Sequence, residues 1–150
     1  MRISSLAIVV SVAAGTALAL PALTERALAV QDQPVTIGGV ETVCTGVGSA
    51  KDNPAWGNYQ VKLVFADRMG QDLAQEHVSV MQGGKPIIET DCDAPWVLMK
   101  LPAGEYSVAA TIPGANGART GDASFTTSGR GQKTVTITMP QSSQSRATAQ

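Results

Sequence analysis

Few residues in this chain could carry chemistry: one histidine, two cysteines and a scattered set of acidic side chains. His77 follows Glu76 directly and Ser79 stands two positions later, so an acid–base pair or a hydrolytic site is the first possibility to weigh. No nucleophile elbow surrounds Ser79, and a single histidine cannot supply a zinc site built from several histidines. The pattern favours a structural role for His77. We expect no catalytic residue, no metal and no cofactor.

An acidic corner surrounds one of the cysteines. Asp91 and Asp93 flank Cys92, and Glu89 lies just before them. Oxygen ligands suit calcium, but the segment lacks the D-x-D-x-D-G loop of a dedicated calcium site. A solvated turn is the preferred interpretation, with ion binding as the alternative. Glycoside hydrolysis would need two of these carboxylates to face each other across a cleft.

The chain contains two tryptophans and two tyrosines: Trp56, Tyr59, Trp96 and Tyr106. Aromatic faces pack against the C–H surfaces of sugars, so Trp56 and Trp96 are the residues we expect to face a carbohydrate ligand. Burial in the core is the commoner fate of such side chains. Carbohydrate binding is therefore the second hypothesis for this protein.

The N-terminus has the pattern of a secretory signal peptide. Arg2 supplies a positive charge, residues 6–20 form an apolar run, and Ala27-Leu28-Ala29 offers small residues at the cleavage positions. A membrane-spanning helix needs about 20 apolar residues, and this run is shorter and is followed by Pro21. We predict a signal peptide at residues 1–29, cleaved after Ala29 or after Ala19, and a periplasmic or secreted protein without a stable membrane anchor.

Export changes the expectation for the two cysteines. An even number of cysteines in an oxidising compartment indicates a disulfide, so we predict a bond between Cys44 and Cys92. The chain contains no Cys-x-x-Cys pair that would suggest a redox centre.

Composition excludes some partners. The 150 residues have a formal net charge of −1 and only 4% aromatic residues, and they contain no run of basic side chains. Nucleic acid and anionic membrane surfaces are therefore poor partners.

The mature chain reads as short strands separated by Gly and Pro turns. Apolar and polar residues alternate at 59–67, 77–81, 86–91, 96–101, 105–112, 123–127 and 134–139, and residues 35–37 could form an edge strand. Seven strands of this kind predict an all-β, two-sheet antiparallel Greek-key sandwich. We assign residues 59–139 to its core.

The flanking segments have other patterns. Residues 30–58 contain an N-terminal segment and a long loop, 41–58, which the disulfide would tether and which has one helical turn near 53–56. Residues 140–150 are mostly Ser, Gln and Ala and contain no bulky apolar side chain, which is typical of a disordered tail.

Residues 95–112 are the centre of the predicted fold. We predict a hairpin whose turn combines Pro102, with its fixed φ, and Gly104, which would adopt a positive φ. Tyr106 is expected to bury its ring from the second strand of this hairpin.

The segment with Y-Q-V-K-L-V-F-A, P-W-V-L and L-P-A-G-E-Y-S-V-A-A resembles the carboxypeptidase regulatory-like domains, which have a transthyretin-like sandwich fold. Together with V-C-T-G-V-G upstream it is similar to small exported proteobacterial proteins made of this single domain. The resemblance implies a fold but little about activity. We therefore expect a non-catalytic module of the cell envelope with an interaction or structural role, whose partner is a protein or, alternatively, a glycan.

Overall fold

A computed structural model describes residues 27–114 and 117–140, which form ten β-strands and two short 3₁₀ helices. The strands are β1 (Ala27–Leu28), β2 (Val35–Ile37), β3 (Val40–Thr45), β4 (Val61–Ala66), β5 (Glu76–Gln82), β6 (Lys85–Cys92), β7 (Trp96–Met99), β8 (Gly104–Ile112), β9 (Arg119–Thr127) and β10 (Lys133–Thr138). The 3₁₀ helices span Gly48–Asp52 and Pro54–Asn58. Most of the predicted signal peptide and the predicted disordered tail from residue 141 lie outside the described residues.

The strands form two five-stranded sheets. Sheet A has the order β1-β6-β5-β8-β9, and sheet B has the order β10-β4-β7-β3-β2. All neighbours are antiparallel except β1 with β6 and β10 with β4, which are parallel. The expected all-β architecture of two largely antiparallel sheets is confirmed. The strand count of seven was too low, because it omitted β3 and set the short edge strand β2 aside. The further strand β1 lies within the predicted signal peptide and would remain in the mature protein only after cleavage at Ala19.

The core lies between the two sheets and follows the alternation in the sequence. Val61, Leu63 and Phe65 on β4 are fully buried, and Val108 and Ala110 on β8 are nearly so. On β10 the threonines face solvent while Ile137 faces the core. Side chains on alternate positions of a strand point to opposite faces, so each of these strands covers one side of the core.

The prediction of a hairpin at residues 95–112 is wrong. β7 belongs to sheet B and β8 to sheet A, so the chain crosses from one sheet to the other between them. Strand β7 is already paired with β3 on one edge and β4 on the other, which leaves no free edge for β8. The buried side chain of Leu101 accompanies this crossover.

The prediction of a positive φ at Gly104 is also wrong. The φ angles of Gly38, Gly83 and eight other glycines are positive, but Gly104 is not among them. Gly104 is the first residue of β8 and takes an extended conformation. The crossover is instead held by Tyr106, whose hydroxyl donates a hydrogen bond of 2.8 Å to the carbonyl oxygen of Pro102. The ring of Tyr106 is buried, as expected, and stacks on Phe125.

The prediction of a loop over residues 41–58 is wrong for its first part. Residues 40–45 form β3, an interior strand of sheet B that contains no polar–apolar alternation because both its faces are covered. Val43 packs against Trp56, Tyr59 and Leu98, while Cys44 faces the main core. The helical turn expected near residue 53 is present as the helix Pro54–Asn58, capped by the side chain of Asn53.

The predicted disulfide is confirmed. Cys44 on β3 and Cys92 at the end of β6 form the bond, with an S–S distance of 1.98 Å and both residues 1% exposed. Because the two strands belong to different sheets, the disulfide links sheet A to sheet B.

Candidate functional site

The outer face of sheet A presents accessible polar side chains. Strand pairing sets its side chains in rows: Asp91, His77, Thr111 and Thr120 form one row, and Glu89, Ser79, Ala109 and Asp122 form the next. A third row contains Met81, Ser107 and Ser124. All these side chains are half-exposed or exposed. Most are small, so the face is flat and rich in hydroxyl groups.

One end of this face carries a His–Asp pair. Nδ1 of His77 and Oδ1 of Asp91 are 2.7 Å apart, and both side chains are more than one third exposed. They line a groove of about 670 Å³ together with Gln75, Asp93 and Thr111. The groove therefore offers an imidazole, two carboxylates, an amide and a hydroxyl to a ligand.

A β-bulge brings His77 and Asp91 together. Gly83 and Gly84, with φ of 58° and 76°, form the two-residue turn between β5 and β6. A regular ladder counted from this turn would place His77 opposite Thr90. The register shifts by one residue at Ile87, so Val80 pairs with Ile88 and His77 pairs with Asp91.

The bulge also follows from the hydrophobic pattern. Without it Val78, a core residue, would lie opposite Glu89. With it Val78 lies opposite Thr90, and Glu89 faces solvent opposite Ser79. A one-residue slip moves every side chain to the other face, so burial selects the bulged register. Glu76 is the partner that adjacency in the sequence suggested for His77, whereas the partner in the structure is Asp91. The mismatch between the glycine turn and the apolar pattern was the signal that could have found it.

Glu76 points the opposite way from His77. It is the first residue of β5, it pairs with Cys92 in the ladder, and it is 1% exposed. Both carboxylate oxygens lack a hydrogen-bond partner among the described residues. Burial raises the pKa of Glu76 to about 8, and the charge of Asp93 acts in the same direction. Glu76 and His77 therefore do not share a site.

The acidic corner is divided by the same register. Asp91 contacts His77, Glu89 lies in the neighbouring row beside Ser79, and Asp93 is exposed in the turn after β6. Within residues 27–114 and 117–140, no group of three or more His, Cys, Asp and Glu residues is arranged to hold a metal ion.

The two tryptophans lie on the side of sheet B, away from the groove. Trp56 is buried, and its indole nitrogen donates a hydrogen bond of 2.7 Å to the carbonyl oxygen of Ala50. Trp96 is half-buried, and Nζ of Lys62 lies 3.3 Å from the centre of its ring. A Cβ on Gly46 would lie 2.7 Å from the same ring, so backbone packs closely on Trp96 as well. Trp56 contacts Tyr59, with 6.1 Å between the ring centres, and no ring contact between Trp56 and Trp96 is found among the described residues.

The comparisons with known proteins give no assignment. No model of a known protein family matches the chain, and no curated protein matches it either. In the part of the chain that the structure describes, no helix is long and apolar enough to cross a membrane.

Proposed function

We propose that this protein is an exported, non-catalytic β-sandwich module that binds a protein partner through the outer face of sheet A. The observation that carries the proposal is the difference between the two outer faces. On sheet B, Trp56 and Tyr59 pack over Val43 and Leu98 and bury them. On sheet A, the side chains of the outward rows are all accessible.

The chemistry of this face suggests the kind of partner. Four side chains on this face are acidic: Glu89, Asp91 and Asp122 in the rows described above, and Glu105 opposite Thr126. The histidine of these rows, His77, carries a charge only when it is protonated. Charge complementarity favours a partner whose contact surface is rich in Lys and Arg. The serines and threonines between these acids can hydrogen-bond to the partner directly or through water.

Three further parts of the proposal have separate support. Export is supported by the apolar N-terminus and by the disulfide. A transthyretin-like Greek-key topology, as in the carboxypeptidase regulatory-like domains, is supported by the L-P-A-G-E-Y element at the crossover between the sheets. A non-catalytic role is supported by the sequence, in which no nucleophile elbow surrounds Ser79.

The proposed face is tested by a pair of matched arginine variants. Ser79→Arg places a bulky cation in the middle of the face, whereas Thr136→Arg places the same side chain on the exposed side of β10 in sheet B. Wild-type protein and both variants are used to capture partners from an envelope extract. We expect one protein to be retained by the wild type and by Thr136→Arg and lost with Ser79→Arg. Equal retention by all three would refute binding through this face.

Glycan binding is the second candidate, and the groove at His77 is the observation that favours it. Gln75, Asp91, Asp93 and Thr111 present the amide, carboxylate and hydroxyl groups that bind sugar hydroxyls. This location differs from the tryptophans that the sequence suggested. A glycan array tests it: we expect binding that Asp93→Asn weakens and that Asp52→Asn, a distant exposed carboxylate, leaves unchanged. An array without any bound glycan would remove this candidate.

A further inference from the structure

Glu76 is the one acidic or basic side chain among the described residues that is buried between the sheets. It lies on the inward face of β5 beside Cys92, and therefore beside the disulfide that links the two sheets. Its two carboxylate oxygens have no hydrogen-bond partner among the described residues. A buried carboxylate without a partner is strongly disfavoured, because the protein offers nothing to replace its hydration.

The surroundings of Glu76 do not fully compensate a negative charge: its own backbone N–H lowers the pKa, but burial raises it by more. Asp93, in the turn after β6, is the charged group that acts on it, and its effect is unfavourable. Asp91 and His77 lie on the outer face of the same two strands. The ladder partner of Glu76, Cys92, is bonded to Cys44 of sheet B, and neither cysteine of the disulfide titrates. The neutral acid is therefore the form that this position accommodates.

The chain immediately before Glu76 has the geometry of a hinge. Gln75 has a φ of 68°, one of two positive φ values among non-glycine residues in the described chain, and its side chain is exposed. A left-handed conformation is unfavourable for a glutamine, so a rotation at this residue relieves strain. Glu76 is also the terminal pair of the β5–β6 ladder, and the pairing of β5 with β8 begins only at His77, so Glu76 can leave the ladder without breaking the pairs that follow it.

We propose that Glu76 is a pH-dependent latch: as a neutral acid it stays between the sheets, and as a carboxylate it turns outward at Gln75 and exposes the Cys44–Cys92 disulfide to solvent. This device is a property of the fold and does not depend on which partner the protein binds.

The direction of the effect follows from the pKa of Glu76. The closed form holds the proton up to about pH 8, whereas a solvated glutamate releases it near its ordinary pKa of 4.5. The closed form is therefore fully stabilised below pH 4.5, and this stabilisation is lost as the pH rises through 8. Between pH 5 and pH 9 the ratio of open to closed form is expected to increase by a factor on the order of a thousand, most of it below pH 8.

The rate at which a phosphine reduces the buried disulfide tests the latch. The oxidised wild type and Glu76→Gln are compared at each pH from 5 to 9, so that the pH dependence of the reagent cancels in the ratio of the two rates. Glutamine stays neutral throughout. We expect a ratio that rises steeply from pH 5 to pH 9. A ratio that is independent of pH would overturn the proposal. Glu105→Gln, an exposed glutamate on β8, serves as the control and should follow the wild type.

A measurement on the wild type alone keeps the test decisive if Glu76→Gln does not fold. The carboxyl carbon of Glu76 is followed by NMR as the pH rises, together with the amide signals of residues 74–78. We expect the carboxyl to titrate near pH 8 and the amide signals to shift with the same midpoint. A midpoint near pH 4.5, or titration without any change at these amides, would show that Glu76 is not a latch.

Discussion

The hydroxyl of Tyr106 donates a hydrogen bond to the carbonyl oxygen of Pro102 at the point where the chain passes from sheet B to sheet A. The same ring stacks on Phe125, with 5.6 Å between the ring centres. One side chain therefore fixes the crossover at its polar end and packs in the core at its apolar end. Tyrosines with this double role occur at corners of other β-sandwiches.

Tyr106→Phe should separate these two roles. The phenylalanine keeps the stacking on Phe125 but leaves the carbonyl of Pro102 without its donor, so we expect a loss of about 1–2 kcal/mol in the free energy of unfolding. Urea denaturation measures the difference. Tyr106→Leu removes both interactions and should cost more than Tyr106→Phe. Equal losses for the two variants would mean that the hydrogen bond carries all of the effect.

Gly104→Ala should be tolerated. The residue is extended, and a new Cβ would lie 3.0 Å from Nε2 of Gln82, the end of a flexible side chain that can move away. We expect a change of less than about 1 kcal/mol in the free energy of unfolding. A loss above this value in urea denaturation would show that the start of β8 does not tolerate a side chain.

Gly38 and Gly39 form a matched pair with different surroundings. Both have a positive φ, but a Cβ on Gly38 would lie 1.9 Å from the carbonyl oxygen of Ile87, whereas a Cβ on Gly39 meets nothing within 4 Å. Gly39→Ala should cost about 1 kcal/mol, the strain of the left-handed conformation alone. Gly38→Ala should cost several kcal/mol, because the turn before β3 must also move away from β6. Similar melting temperatures for the two variants would contradict this close approach.

Removal of the disulfide should lower the free energy of unfolding. Cys44 and Cys92 are 48 positions apart, and the chain-entropy model assigns a loop of this length about 4 kcal/mol, which native strain and residual structure in the unfolded chain reduce. We expect the double variant Cys44→Ala, Cys92→Ala to lose about 2–4 kcal/mol. A thiol titration of unfolded, unreduced protein should find no free thiol, and two free thiols would rule out the bond.

The sequence predicted the strands whose two faces have different environments. On β4, β8 and β10 one face is buried and the other meets solvent, so apolar and polar residues alternate. This signal is absent from β3, because its two faces are covered by the main core and by Trp56 with Tyr59. Pairing also depends on which strand edges are free. The assignment of β7 and β8 to different sheets could therefore not be read from their own residues.

The site was harder to predict because it depends on the register. The sequence pointed to His77 and to the acidic residues near Cys92, but not to the contact between His77 and Asp91. That contact depends on one extra residue at Ile87, whose effect is seen only when β5 and β6 are aligned by their core residues. The same alignment separates Glu76 from His77, although they are adjacent in the chain. The sequence did predict the disulfide, because its N-terminus indicates export and two cysteines leave a single pairing.

The pKa of Glu41 offers a last test, on the side of sheet B. The hydroxyl of Tyr59 donates to Oε1 of Glu41 at 2.8 Å, and Nζ of Lys100 lies 3.0 Å from the same oxygen. The hydrogen bond from Tyr59, followed by the one from Lys100, lowers the pKa of Glu41. Glu41 therefore contributes stability above its ordinary pKa of 4.5, and this contribution is lost as the pH falls through the lowered value. We expect NMR titration to show a higher pKa for Glu41 in both Tyr59→Phe and Lys100→Met, with the larger increase in Tyr59→Phe. An unchanged Glu41 pKa in Tyr59→Phe would mean that the hydrogen bond does not favour the carboxylate in solution.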